Sequence, residues 1–191
     1  TDVTWSEADR EEFLATIEEE GDRLNSLVGN LLDMSRLQAG AVSLMLRAIG
    51  LDEVVPRALR SLLRSGAQLE VEVPETLSRV RADPALLERA VANVAENAVA
   101  WSPEGEPVRI GASEVAGRVE LRVVDRGPGL PEEARQRIFE PFQRFGARPR
   151  GDGIGLGLAV AKGFVEAMGG TIELEDTPGG GLTVCIGLEA V

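Results

Sequence analysis

The stretch GDGIGLGLAV, residues 151–160, places four glycines within seven positions and continues into an apolar segment with helical composition. Because glycine has no side chain, closely spaced glycines let the backbone approach a ligand, often a phosphate. A Walker loop is excluded, because it requires Gly-Lys-Ser/Thr where this chain continues LGLA. A Rossmann loop is disfavoured, because the preceding RFGARPRGD is not a strand. A glycine-rich turn that only permits tight helix packing remains the alternative.

Two asparagines are spaced for one helix face in NVAENAVAWSP, residues 93–103. Asn93 and Asn97 lie four residues apart, so their side chains share a face. Asparagine has no propensity advantage inside a helix, and its carbonyl oxygen is a ligand that Mg²⁺ accepts when phosphates and water complete the octahedron. The spacing therefore indicates a metal or phosphate site, with two solvated asparagines as the alternative.

The segment DRGPGLP, residues 125–131, directly follows the strand-like VELRVV. We expect Asp125 to end that strand and to project its carboxylate into a cleft, where it could accept a hydrogen bond from the exocyclic amine of adenine. Gly127 and Gly129 would let a flat ring pass over the backbone. An ordinary Pro-Gly turn after a strand is the alternative.

Three of the five phenylalanines fall in IFEPFQRF, residues 138–145. The segment leads into a Gly-, Arg- and Pro-containing stretch that is typical of a mobile loop. Its arginines are candidate phosphate contacts in an otherwise acidic protein: Arg144, Arg148 and Arg150. The alternative is a small hydrophobic cluster followed by a solvated loop.

Charge and composition narrow the class of protein. A net charge of −12 argues against nucleic acid or an anionic membrane surface as the main partner. The single cysteine, Cys185, cannot form an internal disulfide, which favours the cytoplasm. No apolar run approaches the ~18 residues of a membrane span. Because the first residue is Thr1, we interpret the chain as a piece of a longer protein, and a membrane region upstream is compatible with that.

Apolar residues recur at alternating steps of three and four over residues 6–38, which predicts one long helix. The apolar face of this helix requires a partner, either another helix or a second subunit. The alternative is that this face packs on the helix's own domain. Strands are predicted at 41–49, 68–73, 107–113, 118–124, 171–176 and 182–190, and helices at 51–65, from 84 to about 100, and from about 154 to 168. Long helices beside consecutive hairpin strands predict an α+β fold, a two-layer α/β sandwich.

The order of these motifs resembles the N, G1, F, G2 and G3 boxes of two-component sensor histidine kinases, which belong to the GHKL ATPase family with gyrase B, Hsp90 and MutL. The boxes are Asn-x₃-Asn, Asp-x-Gly-x-Gly, Phe-x-x-Phe, Gly-x-Gly-x-Gly-Leu and PGGGLTV. NLLDMSRLQAG, residues 30–40, resembles the end of the second helix of the dimerisation and histidine-phosphotransfer hairpin. GLGLAVAKGFVEAMGG and EDTPGGGLTV are similar to Kdp-type potassium and osmotic sensor kinases.

The resemblance implies the Bergerat fold, in which a mixed sheet is covered by helices on one face. It implies a hairpin helix over 1–40, an ATP-binding catalytic domain over 41–191, and ATP and Mg²⁺ as cofactors. Asn97 would coordinate Mg²⁺ and Asn93 would lie beside the phosphates. Asp125 would bind the adenine amine, with Thr183 supporting it through water. The other implied nucleotide contacts are Gly127, Gly129, Phe142, Gly153, Gly155, Leu156, Gly157 and Leu158.

Two departures from the family pattern affect these expectations. The lysine that often follows the second asparagine is absent, since Ala100-Trp101 stand there, and an arginine of the loop is the candidate replacement. The chain contains no histidine, and the resemblance places the phosphoacceptor on a helix that precedes residue 1. We therefore expect the chain to bind ATP without labelling itself.

The implied partners are a response-regulator receiver domain and a second subunit, through a homodimer formed by the helical hairpin. The chain would be a cytoplasmic domain of a protein in the bacterial inner membrane, attached through regions outside it. An ATP-driven conformational switch, as in gyrase or Hsp90, requires a glutamate one turn before the magnesium asparagine, where this chain has Asn93. A nucleotide-sensing module that binds a partner remains an alternative function, because Ala100 stands where the family often has a lysine.

Overall fold

The computed structural model describes residues 6–143, 145 and 155–191. Six helices and seven strands follow one another in these ranges. In chain order they are α1 (Glu7–Gln38), β1 (Arg47–Ile49), α2 (Leu51–Ala58), α3 (Arg60–Arg64), β2 (Leu69–Glu72), β3 (Val80–Ala82), α4 (Pro84–Trp101), β4 (Val108–Val115), β5 (Arg118–Val124), α5 (Glu132–Arg135), α6 (Gly157–Ala167), β6 (Thr171–Asp176) and β7 (Leu182–Glu189).

Five strands form one mixed sheet in the order β2-β4-β5-β7-β6. β2 runs parallel to β4, and the other neighbours are antiparallel. β1 and β3 form a separate two-stranded antiparallel ribbon, which a bridge between Val80 and Ala190 attaches to the end of β7. The predicted α+β fold with a mixed sheet is confirmed.

Helices cover one face of the sheet, because one side of each central strand is apolar. Along β5, buried Val119, Leu121 and Val123 alternate with partly exposed residues, as expected for a strand packed on one face only. α4 packs against α6 and α2 over this face. The opposite face carries cross-strand ion pairs such as Arg109–Glu70 at 2.7 Å.

Helix α4 starts and packs as its sequence predicts. The Oδ1 atom of Asp83 caps the helix by accepting the N–H groups of Ala85 and Leu86, and Pro84 occupies the first turn, where its missing N–H is harmless. Its apolar residues at three-and-four spacing are buried, and so are both of its asparagines. The buried residues of α4 are Leu87, Ala90, Val91, Asn93, Val94, Ala95, Asn97 and Ala98.

Helix α1 begins with a capping box, in which Ser6 accepts the N–H of Asp9 and the Asp9 side chain accepts the N–H of Ser6. Its C-terminal part packs on another helix: α1 contacts α6, and Leu37 lies against Gly163, where a side chain would collide with it. Among the described residues, no helix is both long and apolar enough to cross a bilayer.

Several element boundaries differ from the predicted ones. The predicted strand 41–49 pairs only over Arg47–Ile49, because the N–H of Met45 is bound instead by the Asp83 carboxylate at 2.8 Å. The predicted helix 51–65 divides at Leu59 into α2 and α3. Helix α6 begins at Gly157; the predicted start at Ile154 lies outside the described residues.

Two short elements were not predicted. Strand β3 has only three residues and acquires its pairing from β1, more than thirty positions earlier in the chain. Helix α5 has four residues and no side-chain cap. Neither segment is long enough to show a hydrophobic period.

Candidate nucleotide-binding site

A cleft of about 590 Å³ opens beside the carboxyl end of β5. Its wall is mostly apolar, with few polar groups among the described residues, which is the usual composition of a small-molecule site. The lining residues are Asn97, Trp101, Asp125, Pro128, Gly129, Leu130, Pro131, Ile138, Phe145 and Leu182. Of the predicted site residues, Asn97, Asp125 and Gly129 therefore line one cleft.

Asp125 directly follows the last residue of β5, as predicted, and is only 3% exposed. Its Oδ1 atom accepts the N–H of Gly127 at 2.8 Å and the N–H of Leu182 at 3.0 Å. These two bonds fix the carboxylate, while its Oδ2 atom has no hydrogen-bond partner among the described residues. Burial raises the pKa of Asp125, although the two backbone N–H donors oppose that shift. The second oxygen is thus available to a ligand.

Close packing of the main chain explains the two glycines near Asp125. A side chain at Gly127 would lie 2.8 Å from the carbonyl oxygen of Trp101, so this glycine lets the loop after β5 pack against the last turn of α4. Gly129 has φ +73° and faces the carbonyl oxygen of Gly181, 3.3 Å from the position of an added Cβ. Gly129 also lines the cleft, whereas Gly127 is not among its lining residues.

The two asparagines of α4 lie at successive turns of one face. Asn97 is buried and lines the cleft. Asn93 is also buried, and its Nδ2 atom has no partner within the described part of the chain. A side chain at Gly157, the first residue of α6, would lie 3.8 Å from the Asn93 amide. Asn93 therefore lies next to the N-terminus of α6.

The N-terminus of α6 is suited to an anion. A helix leaves its first N–H groups without intrahelical partners, and its dipole is positive at that end. The N-cap residue, Leu156, supplies no side-chain cap to those N–H groups. The side chains of Leu156 and Leu158 are buried, which leaves their main chain as the part that could contact a nucleotide.

Thr183 lies on the strand beside Asp125. It pairs with Val124 across β5 and β7, and its hydroxyl lies 3.0 Å from the hydroxyl of Thr177. Both threonines are buried. The water-mediated role predicted for Thr183 remains a prediction.

The two sides of the predicted loop meet at its base. The N–H of Phe142 donates to the carbonyl oxygen of Gly155 at 3.0 Å. Gly155 has φ +78°, and a side chain there would collide with the main chain of Gln143. Phe142 is exposed and itself has φ +64°. The predicted contacts Arg144, Arg148, Arg150 and Gly153 lie outside the described residues.

The apolar wall is the part of the site that the sequence did not predict. Trp101 could have been found, because it continues the four-residue spacing of Asn93 and Asn97. Leu130, Ile138 and Leu182 come from three separate segments, and no local pattern distinguishes them from core residues.

Comparison with protein families identifies the class. Residues 82–191 match the histidine kinase-, DNA gyrase B- and HSP90-like ATPase family, and residues 4–40 match the His Kinase A (phospho-acceptor) domain. The chain therefore belongs to the histidine kinase-, DNA gyrase B- and HSP90-like ATPase family. This confirms the resemblance that the order of the boxes indicated.

The similar curated proteins include Kdp sensors, as the resemblance of GLGLAVAKGFVEAMGG and EDTPGGGLTV indicated. The sensor protein KdpD of Mycobacterium tuberculosis (strain ATCC 25618 / H37Rv) is 48% identical over an alignment of 197 positions. The alignment covers 99% of this chain and 23% of that protein. KdpD of Escherichia coli (strain K12) is 38% identical over 157 residues, covering 81% of this chain and 17% of that protein. The chain spans less than a quarter of each.

Solved structures support the same fold. Full-length ShkA, solved in complex with AMPPNP, superposes with a TM-score of 0.74 at 30% identity, covering 100% of this chain and 41% of that one. The mycobacterial sensor histidine kinase MprB has a TM-score of 0.67 at 34% identity, covering 76% of this chain and 98% of that one.

Proposed function

We propose that this chain is the ATP-binding catalytic part of a two-component sensor histidine kinase. It binds Mg²⁺-ATP in the cleft and supplies the γ-phosphate to a histidine on a helix outside this chain, for relay to a response-regulator aspartate. The observation that supports this best is Asp125, a buried carboxylate that lines the cleft with one oxygen held by two backbone N–H groups.

The fixed carboxylate explains how adenine would be selected. A hydrogen bond from an N–H donor to a carboxylate is worth about 1.5–3 kcal/mol, more than a neutral pair. The exocyclic amine of adenine supplies such a donor to Oδ2 of Asp125. Guanine carries a carbonyl oxygen at the corresponding position, and two oxygen acceptors repel. The apolar wall, which includes Trp101 and Leu182, would cover the faces of the ring.

The phosphate end would be formed by α4 and α6. Phosphoryl transfer depends mainly on positioning and on neutralising charge, and the N-terminus of α6 beside Asn93 offers N–H donors to phosphate oxygens. The described residues contain no group of three or more carboxylate, cysteine or histidine side chains that could hold a metal. Asn97 fits a Mg²⁺ ion that takes its remaining ligands from phosphates and water, and such an ion would neutralise charge on the phosphates.

The exposed face of α1 supports the proposed homodimer. Seven large apolar side chains on this helix are more than half exposed, Phe13, Leu14, Ile17, Leu24, Val28, Leu31 and Leu32. A group of exposed apolar side chains on one helix indicates an interaction site. We propose that helices of the hairpin and of a second subunit cover it, and that attachment to the membrane comes from regions outside this chain.

Calorimetric titration with Mg²⁺-AMPPNP and with a GTP analogue tests the site. The wild-type chain should bind AMPPNP and not the GTP analogue, and Asp125→Asn should weaken AMPPNP binding about tenfold to a hundredfold, because an amide cannot replace the charged acceptor. Asp52→Asn, on α2 away from the cleft lining, is the matched control and should bind as wild type. Equal affinities of wild type and Asp125→Asn would exclude the assigned base contact.

Incubation with radiolabelled ATP tests which molecule receives the γ-phosphate. The chain alone should acquire no label, because it contains no histidine, and a helical hairpin that carries a histidine should become labelled when it is added. Label retained on the chain itself would contradict the proposal and would indicate another acceptor.

A further inference from the structure

We propose that Arg89 is shared between Asp33 of α1 and the terminal phosphate of the bound nucleotide. In this role Arg89 positions the terminal phosphate, and it also holds the C-terminal part of α1. The inference rests on the proposed ATP site and adds to it a residue that selects for a triphosphate.

Arg89 continues the row of polar residues along α4. Arg89, Asn93 and Asn97 are each four residues apart, so they lie on one face at intervals of about 6 Å. The base contact lies at the C-terminal end of this row, because the Asp125–Gly127 loop packs on Trp101. Asn93 lies farther along, beside the N-terminus of α6. A nucleotide whose base meets Asp125 therefore extends its phosphates toward Arg89.

The guanidinium of Arg89 is already bound to a carboxylate. Its Nη1 atom donates to Oδ1 of Asp33 at 2.8 Å, and its Nη2 atom lies against Oδ2. Gly29, one turn before Asp33 on α1, makes room for this ion pair, since a side chain there would lie 3.0 Å from Nη2. The pair is a polar link between α1 and the helix that carries both asparagines.

The two partners are unequally buried. The side chain of Asp33 is 3% exposed, whereas that of Arg89 is 43% exposed. Burial raises the pKa of Asp33, and the charges of Arg89 and Arg36 oppose the shift. Asp33 is thus a desolvated charge that depends on arginine, while the Arg89 side chain remains partly exposed, which leaves it room to meet a second anion. Guanidinium binds carboxylate and phosphate with the same fork geometry.

Arg89 is the only basic residue of α4. Position 100, where the family pattern often has a lysine, is Ala100, so that cation is missing from α4. A terminal phosphate that engages Arg89 competes with Asp33 and weakens the docking of α1. By linkage, whatever removes Asp33 from Arg89 must strengthen triphosphate binding by the same factor.

Calorimetry with Mg²⁺-AMPPNP and Mg²⁺-ADP on the 191-residue chain tests this sharing. Asp33→Asn should tighten AMPPNP binding about fivefold, because the competing charge is gone, and Arg89→Ala should weaken it about fivefold. ADP lacks the terminal phosphate, so its affinity should change in neither variant. Arg109→Ala removes an exposed Arg–Glu pair from the opposite face of the sheet and should leave both affinities unchanged.

The double variant separates sharing from simple loss of an ion pair. If Asp33 acts through Arg89, Asp33→Asn should have no effect in the Arg89→Ala background. Should Arg89→Ala lose its helical circular dichroism signal, Arg89→Lys replaces it and should weaken AMPPNP binding to a smaller extent. Shifts of the same sign in both single variants, or equal shifts for AMPPNP and ADP, would overturn the inference while leaving the ATP site intact. Absence of AMPPNP binding by the wild type would overturn the proposed function as well.

Discussion

Helices α1 and α4 carry apolar residues at the same three-and-four spacing but bury them differently. In α4, Leu87, Val91 and Val94 are fully buried between the sheet and the neighbouring helices. In α1, Ile17 and Leu24 are more than 60% exposed. The contrast shows that periodicity specifies which face of a helix is apolar, whereas the partner of that face depends on the rest of the assembly.

The N-caps of the two helices also differ: one makes local contacts and the other makes a long-range contact as well. Ser6 caps α1 within an exposed local box, so its contacts are all within one turn. Asp83 caps α4 from a buried position, and its second oxygen also binds the N–H of Met45, 38 residues away. One cap stabilises a single helix end; the other also fixes the connection between α1 and the sheet.

The largest expected difference is between two leucine truncations. Leu87→Ala should lower the free energy of unfolding by about 2–5 kcal/mol, because it leaves a cavity in a fully packed core. In the monomeric chain, Leu24→Ala should cost less than about 0.5 kcal/mol, because Leu24 is exposed when no partner covers α1. Urea denaturation of both variants measures the difference. Similar costs would show that α1 is packed in solution by a partner that covers Leu24.

A smaller difference is expected between the two caps. Asp83→Ala should cost about 2–3 kcal/mol, since it removes a cap and leaves the Met45 N–H without its acceptor. Ser6→Ala should cost about 0.5–1 kcal/mol. Thermal unfolding followed by circular dichroism compares the two variants. If Ser6→Ala proved the more destabilising, the local box would have to contribute more than its exposure allows.

The smallest expected effect on folding is at Asp125. Its folded pKa is raised, chiefly by burial, so the folded state binds its proton more tightly than the unfolded state does. The contribution of this group to stability therefore increases as pH falls through the raised pKa and decreases as pH rises. At neutral pH, Asp125→Asn should have a Tm equal to or above that of the wild type, because it removes a desolvated charge and keeps an oxygen acceptor.

Nucleotide binding should depend on the same titration with the opposite sign. Protonation removes the acceptor from Asp125, so AMPPNP affinity should fall with decreasing pH, beginning above the range of an ordinary aspartate. The pH dependence of AMPPNP affinity in Asp125→Asn measures the part that comes from protonation of the nucleotide phosphates. If wild type and variant showed the same dependence between pH 7.5 and 5, Asp125 would not be the group that binds the base.

The chemically distinctive residues were predictable because their signals are local. Asn93 and Asn97 share a helix face by spacing alone, and Asp125 follows a strand of alternating burial. The short strand β3 and the division of 51–65 into two helices were missed, because three residues show no period and a break at Leu59 has no proline or glycine to mark it.

The sequence by itself determined the family, the apolar face of each long helix and two polar residues of the cleft, Asn97 and Asp125, since these depend on short local patterns. Only the tertiary structure decided which apolar residues line the cleft, how β3 pairs with β1, and that Arg89 meets Asp33 across 56 positions of sequence. The physical reason is range: helix and strand periods act between near neighbours, whereas a cleft wall or a buried ion pair forms when the packed core brings distant segments together.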